Sequence, residues 1–340
     1  MYQVLVKTYE SGDIGDVNRR EVLRYAGMPT PAGHSEPAGE ESPGADPIQS
    51  LIDECIAEIA PVITFKVCYI HTDIGWELGI PVLPVDIFGS KDLAFCLKSC
   101  ASAVLMAATV GVGVDRLIAK YERISATKAL IMQALGAERV EALCDKFCSD
   151  LPGILGADIR LKPRFSPGYG DLPLEVQKEF INLLDCPRLI GITLNDSLLM
   201  TPSKSVTAIV GVLPKEDPDP VKLYERGTAL LERGETNAGI WALELALSIG
   251  YARAALFLGD YYARAGRSDI NIEKALKYYF VAQSGGIHEA RQRISGLTGK
   301  YDAKPDVDPL KWIRDPLECI QDIRNAKGRE NRKENTGKKK

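Results

Sequence analysis

The chain has 340 residues, a net charge of −4, 45% hydrophobic and 26% charged residues. That length and mix suit two or three globular domains and exclude a wholly disordered or fibrous chain. The acidic balance excludes nucleic acid as a partner by charge, although Arg324 to Lys340 holds eight Lys or Arg against two Glu and reads as a basic, disordered tail. The first twenty residues are polar and charged, so no export signal is expected there. Eight cysteines then point to free thiols in a reducing cytoplasm. The longest uncharged apolar run, "ASAVLMAATVGVGV" (Ala101–Val114), is too short to span a bilayer and reads as buried core, so no membrane is expected.

In chain order, "YQVLVKTY" reads as a strand and "VNRREVLRYAG" as a short helix. A Pro- and Gly-rich stretch, Met28 to Pro47, follows as a linker, with Asp46 as helix cap and Pro47 as first helical residue. Ile48, Leu51, Ile52, Cys55 and Ile59 then share one helical face. "FKVCYIHTDI" and "GIPVLPVDIF" read as strands, and "SKDLAFCLKSCASAVLMAATVG" as a helix capped by Ser90. Helices are expected from Val114 to Arg123 and from Ala126 to Cys148, then a strand in "GADIRLKPRF". Asp171 and Pro173 start a helix with Val176, Phe180, Leu183 and Leu184 on one face, and "RLIGITLN" and "SVTAIVGVL" read as strands. Strands and helices without strict alternation define an α+β fold with a mixed or antiparallel twisted sheet over residues 1–213.

"PKEDPDP" (214–220) is an acidic, proline-rich linker. Beyond it, 221–300 is helical and repeats itself: "ALSIGYARA" matches "AQSGGIHEA" 36 residues on, and Gly227 and Gly234 match Gly259 and Gly266 at an offset of 32. This pattern resembles SEL-type repeats, relatives of the tetratricopeptide repeat, whose stacks bind peptides or proteins. A helical bundle packed for stability accounts for it equally. Residues 301–340 form a C-terminal extension.

The loop "RFSPGYGDLP" (Arg164–Pro173) carries the chemistry. An arginine at a strand end offers a rigid fork to a carboxylate or phosphate. Gly168 and Gly170 permit positive φ and close approach of a ligand, and Tyr169 offers a flat face and a hydroxyl. These suit a small zwitterionic or anionic ligand with an aromatic part. A tight turn whose arginine pairs with a nearby carboxylate explains the same residues.

The block from Arg164 to Gly211 resembles the reactivation domain of cobalamin-dependent methionine synthase. The family's Arg-x-x-x-Gly-Tyr motif stands here as Arg164, Gly168 and Tyr169, and its acid-containing segment before a Pro-x-x-Ser-Val turn as "LNDSLLMTPSKSV" (Leu194–Val206). The helical stretch from Ala108 to Phe147 is similar to the same domain, and "EVLRYAG" to its standalone form. The resemblance implies an S-adenosylmethionine site formed by Arg164, Phe165, Gly168, Tyr169, Glu141 and Asp196, with the arginine on the methionine carboxylate. It also implies reductive methylation of cob(II)alamin. No cobalamin-binding motif is found, so the cobalamin would arrive on a partner methionine synthase subunit, with a flavodoxin-like electron donor. The chain departs from the family at Asn195-Asp196-Ser197, where the acid is one methylene shorter, and at Ile209 and Val210, where the family has aromatics. Two further expectations stand beside it: an adaptor with a degenerate ligand site, and an activator of another corrinoid methyltransferase.

The pairs Cys96/Cys100 and Cys144/Cys148 each share a helical face in this reading, and four thiolates could hold a metal if the helices met, although buried apolar packing explains helical cysteines more simply.

Overall fold

The computed structural model describes residues 2–29, 47–156, 158–265 and 269–298. The Pro- and Gly-rich linker, the Asp46 cap and the C-terminal extension lie outside them. The chain forms two compact units. One holds the described residues up to Ile74 and those from Val82 to Glu216; the other holds Gly75–Pro81 and the described residues from Asp217 onward. The segment Gly75–Pro81, which the sequence placed in the first domain, therefore groups with the helical unit.

In chain order the first unit contains β1 (Leu5–Tyr9), α1 (Ser11–Ile14), α2 (Arg19–Tyr25), α3 (Pro47–Ile59) and β2 (Phe65–Asp73). The hairpin strands β3 (Gly75–Glu77) and β4 (Ile80–Val82) come next. They are followed by α4 (Lys91–Cys96), β5 (Ser102–Thr109), α5 (Val112–Glu122), α6 (Ala126–Leu155), β6 (Ile159–Leu161), α7 (Val176–Leu183), α8 (Cys186–Leu189), β7 (Thr193–Leu194), β8 (Met200–Thr201) and β9 (Ser205–Pro214). The main sheet has the order β1-β2-β5-β9-β6, and every neighbouring pair is antiparallel. The α+β class with an antiparallel sheet is thus the observed one.

The centre of that sheet corrects the sequence reading. Ser102–Thr109 is a strand, not the continuation of the helix that Ser90 caps. All eight of its residues are buried, so they show no alternation and no helical period. A strand covered on both faces reads as a plain apolar run. Val104 sits opposite His71 of β2 and Val210 of β9. Val104, Met106 and Ala108 join one core with Ile52 and Cys55 of α3, Val114 and Ile118 of α5, and Leu135, Leu143 and Phe147 of α6. The alternate residues Ala103, Leu105 and Ala107 are equally buried, and α7 contacts this strand.

Two other expected strands shrink. Within "GIPVLPVDIF" only Ile80–Val82 is extended, and Pro84, two residues past its end, has no amide to continue a ladder. Within "RLIGITLN" only Thr193–Leu194 is extended, and Pro187 opens the single turn of α8 ahead of it. Helix α6 runs past Cys148 to Leu155, and α7 begins at Val176 rather than Pro173.

Helix α6 is the element that positions the rest. Ser125 caps it by accepting the Lys128 amide. Its buried Arg139 donates to Glu138 at 2.5 Å, to Gly15 O at 2.7 Å and to Asp16 O at 3.0 Å, while Glu138 accepts the Asn18 amide at 3.0 Å. Each guanidinium nitrogen of Arg139 thus has an acceptor, which fixes the α1–α2 connection on α6. Nearer its C-terminus, Asp150 accepts from Lys7 at 2.7 Å, Lys146 at 2.6 Å and Tyr9 at 3.0 Å, tying α6 to β1.

The second unit has α9 (Pro220–Glu232), α10 (Thr236–Ser248), α11 (Ala252–Arg264), α12 (Asp269–Ser284) and α13 (Glu289–Thr298). Asp219 caps α9 by accepting the Val221 amide at 2.8 Å, and Pro220 takes its first turn. Gly227 lies against Gly239 and Leu243 of α10, and Gly259 against the Tyr279 ring of α12. The two glycines matched at an offset of 32 thus occupy equivalent close contacts between successive helices. Leu243, Ala246, Ala254, Leu258, Tyr279 and Ala282 form the core. Among the described residues no helix is long and apolar enough to cross a membrane.

Met106 is fully buried between β2 and β9, so Met106→Ala is expected to lower stability by about 2–5 kcal/mol in urea titrations. Asp150 gives a second expectation. Burial alone would raise its carboxyl, but the bonds from Lys146, Lys7 and Tyr9 win and hold it at about 2. A carboxyl held below its unfolded value stabilises the fold fully above about pH 4, and that contribution is lost as pH falls towards 2. The urea midpoint should therefore drop over that window, and Asp150→Asn should flatten the drop while lowering the neutral-pH midpoint.

Candidate functional site

Strand β6 pairs Leu161 with Val212 of β9, and Lys162 continues the ladder through its amide to Gly211 O at 2.9 Å. The pairing resumes at Phe165, which exchanges backbone bonds of 2.9 and 2.8 Å with Ile209. Between these points the edge strand carries one residue more than its partner. The surplus falls at Pro163-Arg164, and Pro163 has no amide to offer the ladder. This is a β-bulge, the device by which an edge strand turns a side chain out of the regular alternation.

The turned side chain is Arg164. Its guanidinium donates to Glu141 at 2.6 Å and to Asp145 at 2.5 Å, two acids one turn apart on α6. Burial alone would lower the Arg164 pKa, but the bond to Asp145 and the surrounding negative charge raise it, so the group is permanently cationic. The arginine side chain is 22% exposed, while Glu141 and Asp145 are 43% and 73% exposed. The cation is held in place, and its acids reach into solvent.

Beside this ion triplet lies a cleft of about 460 Å³. Arg164, Glu141 and Asp145 line it together with Lys162, Ser166 and Tyr169. Val206 of β9 and Cys148 of α6 complete the wall. Burial raises the Cys148 thiol, and the neighbouring Arg164 partly opposes that rise. Tyr169 lines the cleft and is 71% exposed, so much of its ring is open to the cleft side and to solvent.

The bend is built from its backbone. The Tyr169 amide bonds Ser166 O at 3.0 Å, and the Gly168 amide bonds Leu172 O at 2.9 Å. Gly168 and Gly170 have φ of 87° and 54°. The bend is then clasped to α4. The Asp171 carboxylate accepts from the Lys91 and Asp92 amides at 2.8 and 3.2 Å and from the Ser90 hydroxyl, while Asp92 accepts the Asp171 amide at 3.2 Å. These donors pull the Asp171 carboxyl below its ordinary value, the Ser90 bond first.

Of the six residues named from the sequence, Arg164, Glu141 and Tyr169 meet at the cleft. Gly168 shapes the bend and is not part of the wall. Phe165 serves through its backbone bridge, with its side chain outside the lining. Asp196 is not brought to the cleft. It is exposed at the tip between β7 and β8, because Asn195 uses its side-chain oxygen to accept the Ser197 and Leu199 amides at 3.0 and 2.9 Å and so builds the turn locally. Asp145 was missed, although its position four residues after Glu141 placed it on the same helix face. Lys162 and Ser166 flank the motif and carry no signal of their own.

The four paired cysteines divide. Cys144 and Cys148 lie near Arg164, Cys96 and Cys100 near Lys162, and among the described residues no group of three or more His, Cys, Asp or Glu is placed to hold a metal. Cys96 is at the end of α4, and Cys100 lies between α4 and β5 rather than on a shared helix. A different pair is close: the buried thiols of Cys68 and Cys186 are 3.6 Å apart.

The site is therefore defined by its geometry: a part-buried guanidinium paired with two more exposed acids, facing a small open cleft with one exposed aromatic ring. Such a set suits a zwitterion, whose anion can take the arginine and whose cation can take the acids. No protein-family model matches the chain, and no curated protein matches it. Among solved structures, the crystal structure of the MetH reactivation domain bound to AdoHcy is similar, with a TM-score of 0.47 and 13% sequence identity, covering 71% of this chain and 89% of that one.

Gly170 tests the clasp. A Cβ there would sit 2.4 Å from the Asp92 carboxylate, at a φ that side chains resist. Gly170→Ala is expected to cost about 1–2 kcal/mol or more in urea titrations and to strip hydrogen-exchange protection from the Asp171 amide.

Proposed function

We propose that this chain binds S-adenosylmethionine in the Arg164 cleft and serves as a reactivation subunit for a cobalamin-dependent methionine synthase. The observation that carries this reading is the fixed Arg164 fork beside Glu141 and Asp145 at the mouth of a cleft. An amino-acid head group has one carboxylate and one ammonium. The carboxylate would replace the acids on Arg164, and the ammonium would take up the acids so released. Charge is conserved in that exchange, so little desolvation is left uncompensated.

The rest of the donor set fits the same ligand. Glu141 and Asp145 favour the positive charge of an ammonium or sulfonium, Tyr169 offers a face to a cation or to an adenine, and Val206 supplies an apolar wall. The sequence resemblance over Arg164–Gly211 points to the same molecule independently of the geometry.

In the reaction so assigned, one electron from a reduced flavodoxin-like donor and the methyl group of S-adenosylmethionine convert cob(II)alamin on a partner subunit to methylcobalamin, releasing S-adenosylhomocysteine. This chain then has no proton to move. Its residues orient the methyl donor: Arg164 anchors the amino-acid end, and the bend, clasped to α4 through Asp171, fixes where Tyr169 sits. Positioning of this kind is the whole of the catalytic contribution required.

A second reading is favoured by one specific observation. Arg164 already has both of its charge partners from its own chain, as a structural ion triplet would. On that reading the cleft is vestigial, and the chain is an adaptor that works through its helical unit. Activation of another corrinoid methyltransferase keeps the cleft functional and changes only the partner.

Titration calorimetry on the full chain separates these. S-adenosylmethionine and S-adenosylhomocysteine are expected to bind, and Arg164→Ala is expected to weaken binding roughly 10–100-fold, the loss of one charge-assisted bond pair. Bound ligand should also slow iodoacetamide labelling of Cys148, which lines the cleft. Absence of binding, or an Arg164→Ala variant equal to wild type, supports the adaptor.

A further inference from the structure

Within the helical unit, between α11 and α13, lies an open cleft of about 370 Å³ that shares no lining residue with the Arg164 cleft. Its charged lining is Asp260 and Arg264 of α11 and Arg293 of α13, with Tyr279 of α12 beside them. Asp260 Oδ1 accepts the Tyr279 hydroxyl at 2.8 Å and Arg293 Nε at 2.9 Å. Tyr279 is 1% exposed, so this bond set is anchored in the core.

The set leaves donors over. Asp260 takes only Nε of Arg293, and the two terminal nitrogens of that guanidinium donate to nothing among the described residues. Arg264 is exposed and makes no hydrogen bond or ion pair among them. Two guanidinium groups against one carboxylate give the lining a surplus of one positive charge. Both cations reach the same place: burial and then the Asp260 bond raise the Tyr279 hydroxyl, and Arg293 and Arg264 oppose that rise. Glu289, one turn back on α13, adds negative charge near Arg293 but does not line the cleft.

Gly296 of α13 keeps the space open. Gly227, Gly239 and Gly259 lie where a Cβ would strike a neighbouring helix. A Cβ on Gly296 would meet nothing within 4 Å among the described residues, so no packing contact there requires a glycine. Glycine weakens a helix relative to alanine, and no contact within the unit offsets that loss. The room it leaves belongs to the cleft, which Leu297, 36% exposed, also lines.

Uncommitted guanidinium donors beside an apolar edge select an occupant by chemistry. A planar carboxylate matches the guanidinium fork, and the stem that carries it suits Leu297. One exposed ion pair contributes little, whereas two cations flanking one recess restrain a carboxylate in position as well as charge. We propose that the α11–α13 cleft is a docking site for an acidic side chain on a partner protein, held jointly by Arg264 and the unengaged end of Arg293.

A nuclear magnetic resonance titration of the full chain tests this, with acetyl-Gly-Leu-Glu-Leu-Gly-amide as the probe. Its blocked ends leave the glutamate carboxylate as the only charge. The peptide is expected to shift the guanidinium N–H signals of Arg264 and Arg293 together, and the same peptide with Gln for Glu to shift neither. Arg264→Ala leaves the Asp260 bond set intact, so the unit should keep its fold and bind the probe roughly tenfold more weakly. Gly296→Phe fills the recess while both arginines stay, and it should weaken binding to a similar degree. Arg253→Ala, on α11 but outside the lining, should bind as wild type does. No shift with the Glu peptide, equal shifts with the Gln peptide, or wild-type affinity in Arg264→Ala or Gly296→Phe each overturns the proposal. So does an Arg253→Ala loss as large as that of Arg264→Ala, which would mean attraction by the unit's charge at large. Inorganic phosphate shifting both signals at the peptide's concentration also overturns it, since the cleft would then take any anion. None of these outcomes depends on S-adenosylmethionine binding.

Discussion

A strand buried on both faces governs the first unit. Once β5 is placed between β2 and β9 with every side chain inside, apolar layers must cover it from either side. Helix α6 is long enough to do so on one face, and it also carries the buried pair Glu138–Arg139 and the more exposed acids Glu141, Asp145 and Asp150. Those charged residues are tethers: one holds the N-terminal turns, one holds β1, and the middle two meet Arg164. The cleft lies where a helix chosen for its apolar face offers its polar edge to the short strand β6.

This arrangement also explains what the sequence made legible. Periodic amphipathic helices declared themselves: Ile52, Cys55 and Ile59 on α3, and Val176 and Phe180 on α7, are buried at the spacing that predicted them. Ser90 was recognisable as a cap because it precedes a polar turn of helix. The central strand was not legible, since complete burial erases the alternation that distinguishes a strand, and its alanines favour helix in isolation. Short extended pieces such as Thr193–Leu194 were overextended in the reading for the opposite reason: β-branched residues near Pro187 and Asn195 resemble a strand, yet one favours a helical turn and the other a local bend.

The site divides in the same way. Arg164, Tyr169 and the glycines form one contiguous motif, so they were visible together. Glu141 lies 23 residues away and was reachable only through the resemblance, whereas Asp145 follows from Glu141 by helical geometry alone. Asp196 lies outside the cleft that Arg164 lines, at an exposed turn where the neighbouring Asn195 spends its side chain on the backbone. Tertiary proximity of Lys162 and Cys148 to the same space has no counterpart in local sequence.

The bulge at Pro163-Arg164 sets two demands of the chain against each other. Deleting one residue there would let the edge ladder run unbroken from Leu161 to Phe165 and would make a more regular sheet. The same deletion would return the guanidinium to the ordinary in-and-out sequence of the strand and close the recess beside it. The sheet is kept irregular at its rim, and that irregularity is what turns Arg164 toward the acids of α6 and leaves the recess open.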